Sequence, residues 1–485
     1  MQSENRLATQ AIHGVFWTTG ATLIQSLTPL LLYAFLAPEE LGLFETALTN
    51  VMLLALIGDL GLSSALVQSR QVGEAHFDSA FWANLLFGTA LTGLILWTAP
   101  LVAALQAPES PDLFQHIYAY LALLIPFASV SGIFRSRLQR ELDFRHQAIA
   151  EVVSILLFLF TVALLIWASY GIWSVVIGSV VREVALLASL AFSSGWRPRF
   201  SFSQVALREM LPYSLHLTGS RALNYLSSNL PRFLITPLLG ATAMAYYSFA
   251  GRLTLIPLTR LSTIITRVSF PTFAVIQDND DLLRRGYLKA VQSIALFAWP
   301  PLLGLFAFAP EVLAQVPGMT PALLVLHLLV IATLFKAVGV VVGSVFMAKG
   351  KANWSLYWSL FSVIVLAPAM YWAVPYGIEG VSAAIALTSL LFLVLSQHYA
   401  NQLIHLPFSA FLAALGRPSL VALLVMAVLA GARYLLPSGT LPTLIAGALL
   451  GTGAYLLGLR LFAWELCRQY WRGFRGPSAP RPAST

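Results

Sequence analysis

Lysine and arginine are missing from every second connection of this 485-residue chain. Its hydrophobic runs divide into about fourteen stretches, each near the 20 apolar residues that carry a helix across a bilayer. The connections after the odd-numbered stretches hold no basic residue; they read Ala37-Pro-Glu-Glu-Leu-Gly42, Ala107-Pro-Glu-Ser-Pro-Asp112 and Pro310-Glu-Val312. The alternate ones hold Arg70; Arg135, Arg137, Arg140 and Arg145; Arg197, Arg199 and Arg208; Arg284, Arg285 and Lys289; Lys349 and Lys351; Arg417; and Arg468, Arg472, Arg475 and Arg481. Basic connections stay in the cytoplasm. The pattern therefore excludes an odd number of spans and places both termini inside.

Other scarcities narrow the class further. Only 10% of residues are charged against 58% hydrophobic, with mean hydropathy +0.79, which excludes a water-soluble globule. The apolar runs are too long for alternating ten-residue strands, so the membrane fold is a helical bundle rather than a barrel. A single cysteine, Cys467, excludes a disulfide framework and a cysteine-based metal site. His13, His216 and His327 stand apart, so no metal and no cofactor is expected. No glycine-rich phosphate loop is present, which excludes a built-in nucleotide motor and leaves ion gradients, membrane potential or product consumption as energy sources. No connection is long enough for a soluble domain, which argues against a membrane enzyme. The net charge of +8 is spread over seven short connections; it is an orientation signal, and no nucleic-acid partner is expected.

The expected spans are 12–36, 43–67, 78–105, 114–134, 147–168, 172–192, 210–237, 241–268, 287–309, 321–347, 353–373, 378–400, 417–436 and 441–463. The first is too long for a signal-peptide core and lacks a small-residue cleavage pattern, so it reads as a retained span. The longest connection, around residues 195–208, marks the middle. There Trp196-Arg-Pro-Arg-Phe200 has the composition of a headgroup-level anchor, and 202–211 that of a short interfacial helix. An internal echo lays Leu36-Ala-Pro-Glu-Glu-Leu-Gly-Leu-Phe44 over Leu239-Gly-Ala-Thr-Ala-Met-Ala-Tyr-Tyr247, and His13 over His216. Six spans intervene, so the repeat is parallel. The expected architecture is an all-α integral membrane protein: an N-terminal lobe over 1–200 (spans 1–6), a C-terminal lobe over 201–405 (spans 7–12), a central cavity, two extra helices over 406–466, and a disordered cytoplasmic tail over 467–485.

Charged residues inside spans carry the functional signal, because an arginine at the bilayer centre costs about 2.5 kcal/mol or more unless it faces a cavity or a partner. In span 7, Arg221, Asn224, Ser228 and Arg232 share one helical face, a polar stripe about 16 Å tall. Span 8 adds Arg252, Arg260 and Arg267 near one face, with Arg267 close enough to the end to snorkel. Lys336 in span 10 is a further candidate for cavity lining. Arg182 and Glu183 in span 6 are adjacent and point about 100° apart, which disfavours a mutual pair and lets each find a partner on another helix. Asp59, within Gly58-Asp-Leu-Gly-Leu-Ser63, and Glu45 serve either ion coupling or structure. Thr18, Thr22 and Gln25 in span 1 line the cavity or bind helices together. Prolines 29, 212, 231, 237, 257 and 368 kink spans or break them. A cationic wall within apolar helices implies an anionic, amphipathic substrate, and a phosphate or pyrophosphate headgroup suits the arginine fork.

A set of blocks in order over about residues 10 to 400 adds a resemblance. Gly14-Val-Phe-Trp17, Leu36 to Phe44, Asp59-Leu-Gly-Leu-Ser63 with Ala65-Leu-Val-Gln68, Arg140-Glu-Leu-Asp-Phe-Arg145, Tyr170-Gly-Ile-Trp-Ser174, Tyr247-Ser-Phe-Ala-Gly-Arg-Leu253 with Pro257, and Arg267-Val-Ser-Phe-Pro271 together resemble bacterial oligosaccharide flippases of the polysaccharide transporter family. The resemblance implies twelve or fourteen helices in two lobes, with spans 1, 2, 7 and 8 at the portal. It also implies an inner-membrane protein that turns a polyprenyl-pyrophosphate-linked sugar repeat to the outer leaflet, among membrane lipids and alongside a polymerase and export machinery. Arg221, Arg232 and Arg252 fall on helices whose cationic residues meet the pyrophosphate. That family often has an acid where this chain has Pro231, so no ion-pairing role is carried over to that position. The alternatives are an ion-coupled drug or metabolite antiporter of the same superfamily, against which the arginine surplus argues, and a glycosyltransferase or polymerase, for which the outer connections are too short.

Overall fold

A computed structural model describes residues 32–69, 71–351, 353–435, 441–466 and 468. Among them are sixteen α-helices and no strand, and ten helical stretches are long and apolar enough to cross a membrane; the chain is a multi-pass membrane protein. Each expected span from the second onward overlies a helix. Span 1, with His13, Thr18, Thr22 and Gln25, lies outside the described residues, as do Arg70 and the tail.

Local chemistry explains the breaks. Helix α1 (Pro38–Gly58) opens with Pro38 at its first position and Glu39 and Glu40 in its first turn, where a missing amide and negative charge are both tolerated. It stops where Leu60 and Gly61 turn left-handed, at φ 49° and 69°, and α2 (Leu62–Gln68) resumes. After α3 (Glu74–Gln106), span 4 is likewise two helices, α4 (Pro111–Ala122) and α5 (Leu124–Arg140). Pro126 has no amide to offer the carbonyl of Ala122 four residues back, and Thr92 Oγ1 donates to that carbonyl at 3.0 Å instead. Helix α6 (Phe144–Trp167) is capped by the Asp143 carboxylate, and α7 (Trp173–Ser193) follows. Ser203 caps α8 (Gln204–Leu239), which contains Pro212, Pro231 and Pro237, and Gly240 at φ 87° turns the chain into α9 (Ala241–Val275). Then come α10 (Asp280–Ala307), the short α11 (Ala309–Ala314), α12 (Leu323–Ala348), α13 (Asn353–Ala373), α14 (Gly377–Ile404), α15 (Phe408–Leu435) and α16 (Leu441–Phe462).

Helices α8 and α9 run 36 and 35 residues yet are not among the ten apolar crossings. Length qualifies them and polarity disqualifies them, which is the signature of helices that do not face lipid all round.

The connection at 195–203 departs from the sequence reading. Trp196 is buried against Phe77, Phe81 and Phe134, and of the segment's two aromatics Phe200 alone stands exposed, stacked on Trp82 with ring centroids 4.9 Å apart. The indole supplies more apolar contact inside an aromatic cluster than at a headgroup. No separate interfacial helix occupies 202–211; from Gln204 onward that segment is the first turns of α8.

Contacts divide the chain into two compact units, residues 1–249 with 356–378, and residues 250–355 with 379–485. In the first, α8 packs on α1, α2 and α3, and Leu62, Leu66, Ile133, Leu190 and Trp196 share a core. In the second, α10 is central, packing on α12 and α15, with Tyr287 donating to Gln397 Oε1 at 2.6 Å in the interior. There Glu311 is 1% exposed and stands 3.6 Å from Arg433 Nε. Arg433→Ala should therefore lower stability by about 3 kcal/mol, since a buried charge without its partner is costly. Adding Glu311→Gln should restore most of the lost melting temperature in detergent.

Candidate functional site

In the first unit α1 and α8 run antiparallel and close together. The carbonyl oxygen of Ala241 lies 1.8 Å from where a Cβ on Gly42 would sit, so only glycine fits. One turn further, Glu45 Oε2 lies 3.8 Å from Arg232, and the hydroxyls of Thr46 and Thr236 meet. Next, Tyr225 donates to the carbonyl of Thr49 at 3.2 Å. At the far end the carbonyl of Ser214 comes within 2.5 Å of a Cβ on Gly61, whose positive φ also demands glycine. Small and hydroxyl-bearing side chains allow such approach in a membrane bundle. Arg232 and Glu45, expected separately as cavity wall and as coupling or structural residue, thus form one ion pair, with Glu45 buried.

Toward its N-terminal half the exposed face of α8 is polar: His216, Ser220, Arg221, Asn224 and Ser228 are all exposed, and Ser228 donates to Asn224 Oδ1 at 3.2 Å. Arg221 lies within electrostatic reach of Asp59 at the α1–α2 break. The Asp59 carboxylate accepts hydrogen bonds from Ser63 and, at 3.1 Å, from Asn84 Nδ2, which also donates to the carbonyl of Ser129 at 3.0 Å. Asp59 knits the broken helix to α3 and α5 while facing α8. The first unit therefore sets an acid of the first hairpin opposite each of two arginines on α8.

In the second unit Arg252 is partly buried on α9 and Lys336 is exposed midway along α12. The side chains of Arg260 and Arg267 lie outside the described residues. No group of three or more potential metal-ligating side chains occurs among the described residues.

The sequence reading passed over Asn84, Ser63 and Tyr225. Asn84 had a signal, as a lone amide within an apolar span; the hydroxyls had none, since such residues are common between membrane helices. Arg135, read as part of a cytoplasmic connection, instead lies inside α5 and pairs with Glu151 of α6 at 3.8 Å, next to Arg182 and Glu183.

A family model described as "Polysaccharide biosynthesis protein" matches residues 31–319. The teichuronic acid biosynthesis protein TuaB of Bacillus subtilis is 24% identical, over 85% of this chain and 86% of that protein. The succinoglycan biosynthesis transport protein ExoT of Rhizobium meliloti is 31% identical, over 60% of this chain and 58% of its own length. Among solved structures, the lipid II flippase MurJ in an inward closed conformation superposes with a TM-score of 0.78 at 16% identity, over 94% of this chain and 100% of that one, a likeness of fold.

Proposed function

Because the chain belongs to the polysaccharide biosynthesis protein family, matched across residues 31–319, we propose that it is a flippase for lipid-linked oligosaccharides. In this reading it moves a polyprenyl-pyrophosphate-linked sugar repeat from the cytoplasmic to the outer leaflet of the bacterial inner membrane, by alternating access, with both termini in the cytoplasm. The observation that carries it is the exposed polar face of α8: a helix long enough to span, too polar to face lipid, presenting Arg221, Asn224 and Ser228 along one side. Such a face requires an aqueous or anionic counterpart within the membrane. A guanidinium meets two phosphate oxygens at once, whereas an ammonium meets them as a point charge. Arg232 is held by Glu45 and becomes available to a headgroup only as that pair parts. Within the second unit, Arg252 on α9 and Lys336 on α12 are further cations suited to an anionic headgroup. The polyprenyl tail stays in lipid, so only the charged and sugar portion needs the polar path. A polymerase and export machinery consume the product outside.

A strain lacking only this gene should accumulate a polyprenyl-pyrophosphate oligosaccharide detectable by mass spectrometry of its lipid extract. An unchanged lipid-linked pool together with altered sensitivity to small toxic compounds would replace this reading with that of an antiporter.

A further inference from the structure

Helices α5, α6 and α7 hold a second set of charges that the α8 face does not use. Helix α7 packs against both α5 and α6, and across them lie Arg135, Glu151, Arg182 and Glu183. Arg135 is five residues from the end of α5, about 8 Å along its axis, so the set lies in the half of the bundle nearest the basic connections. The Arg135–Glu151 pair is loose: the groups stand 3.8 Å apart, and these side chains remain 35% and 27% exposed, open to a ligand. Arg135 Nε and Arg182 Nε are buried donors with no acceptor among the described residues, while Ser131, one turn before Arg135 and itself 2% exposed, hydrogen-bonds Glu183. Buried polar hydrogens without acceptors are rare and costly, and two guanidinium donors on facing helices ask for an oxyanion.

We infer that Arg135 and Arg182 form a phosphate-recognition subsite in the first unit, separate from the α8 arginines, with Glu151 and the Ser131-bonded Glu183 as internal counter-anions that a phosphate displaces. The carboxylates keep two guanidiniums tolerable among apolar helices, and the long Arg135–Glu151 contact leaves that fork free to turn to a better-fitting anion. The inference rests on the reading that the cargo headgroup is anionic. The phosphate belongs either to that cargo or to an anionic phospholipid.

The test is binding of farnesyl diphosphate to the purified full-length protein in detergent, followed calorimetrically. Arg135→Gln with Arg182→Gln should weaken binding at least tenfold, and the Lys pair should weaken it less. Glu151→Gln with Glu183→Gln should tighten it several-fold, because the internal competitor is gone; a purely structural ion network predicts no tightening. Affinity at the parent value in the carboxamide pair, or in the arginine-to-glutamine pair, overturns the subsite, and where the arginine variants do not fold the carboxamide pair decides. Competition by phosphatidylglycerol at equal concentration assigns the phosphate to membrane lipid, and its absence assigns it to the cargo. Loss of binding in the Arg135 and Arg182 variants but not in Arg221→Gln would sink the α8 reading and leave this one standing. The opposite pattern would do the reverse.

Discussion

Arg221→Gln should reduce polymer output ten- to a hundredfold at matched membrane abundance. The side chain is exposed on α8, on a face that it shares with His216, Ser220, Asn224 and Ser228. A hydrogen bond to a charged group in such a setting contributes about 1.5–3 kcal/mol, and each 1.4 kcal/mol is tenfold in an equilibrium. Arg221→Lys keeps the charge and loses the two-pronged fork, so an intermediate loss is expected. Asp59→Asn should act in the same assay by a different route, because Asp59 joins the α1–α2 break to Asn84 and faces Arg221. Arg232→Ala is less clean, since it also removes a cation beside the buried Glu45. Parental output from Arg221→Gln, with the variant inserted and abundant, would remove the α8 face from the mechanism.

Gly42→Val is expected to have the largest effect on stability, about 3 kcal/mol or more. A Cβ there would meet the carbonyl oxygen of Ala241 at 1.8 Å, and the obstacle is backbone rather than a side chain that could swing aside. Overpacking of this kind separates whole elements, here α1 from the start of α9, and would disturb the Glu45–Arg232 and Thr46–Thr236 contacts one turn away. Gly453→Ala on α16 is the control: nothing lies within 4 Å of its Cβ, and an alanine in a helix is favoured over glycine by up to about 1 kcal/mol. Thermal unfolding in detergent should therefore show Gly42→Val well below the parent and Gly453→Ala at or above it. A parental melting temperature for Gly42→Val would mean that α1 and α9 do not approach as described.

Much of this protein was legible in one dimension because the bilayer imposes one-dimensional rules. A backbone in lipid must satisfy its own hydrogen bonds, so length and apolarity alone place helices, and all thirteen spans expected from the second onward coincide with helices. Of the expected stripe Arg221, Asn224, Ser228 and Arg232, the first three are exposed, because 3.6 residues per turn converts spacing into a face, while Arg232 is drawn to the buried Glu45. Connections were read less well. Trp196 and the segment 202–211 had interfacial composition, but composition does not say whether an aromatic ring finds a pocket such as that of Phe77, Phe81 and Phe134.

Partnership was the property the sequence could not supply. Glu45 and Arg232 are 187 positions apart, Asp59 and Asn84 are 25 apart, and Arg135 and Glu151 are 16 apart; no periodicity links residues on different helices. Helix existence and the polar face of α8 came from the sequence alone, because each follows from local geometry and the cost of charge in hydrocarbon. Which acid meets which arginine, and how closely α1 can approach α8, only the tertiary structure decided, because both depend on side chains brought together by packing between helices remote in the chain.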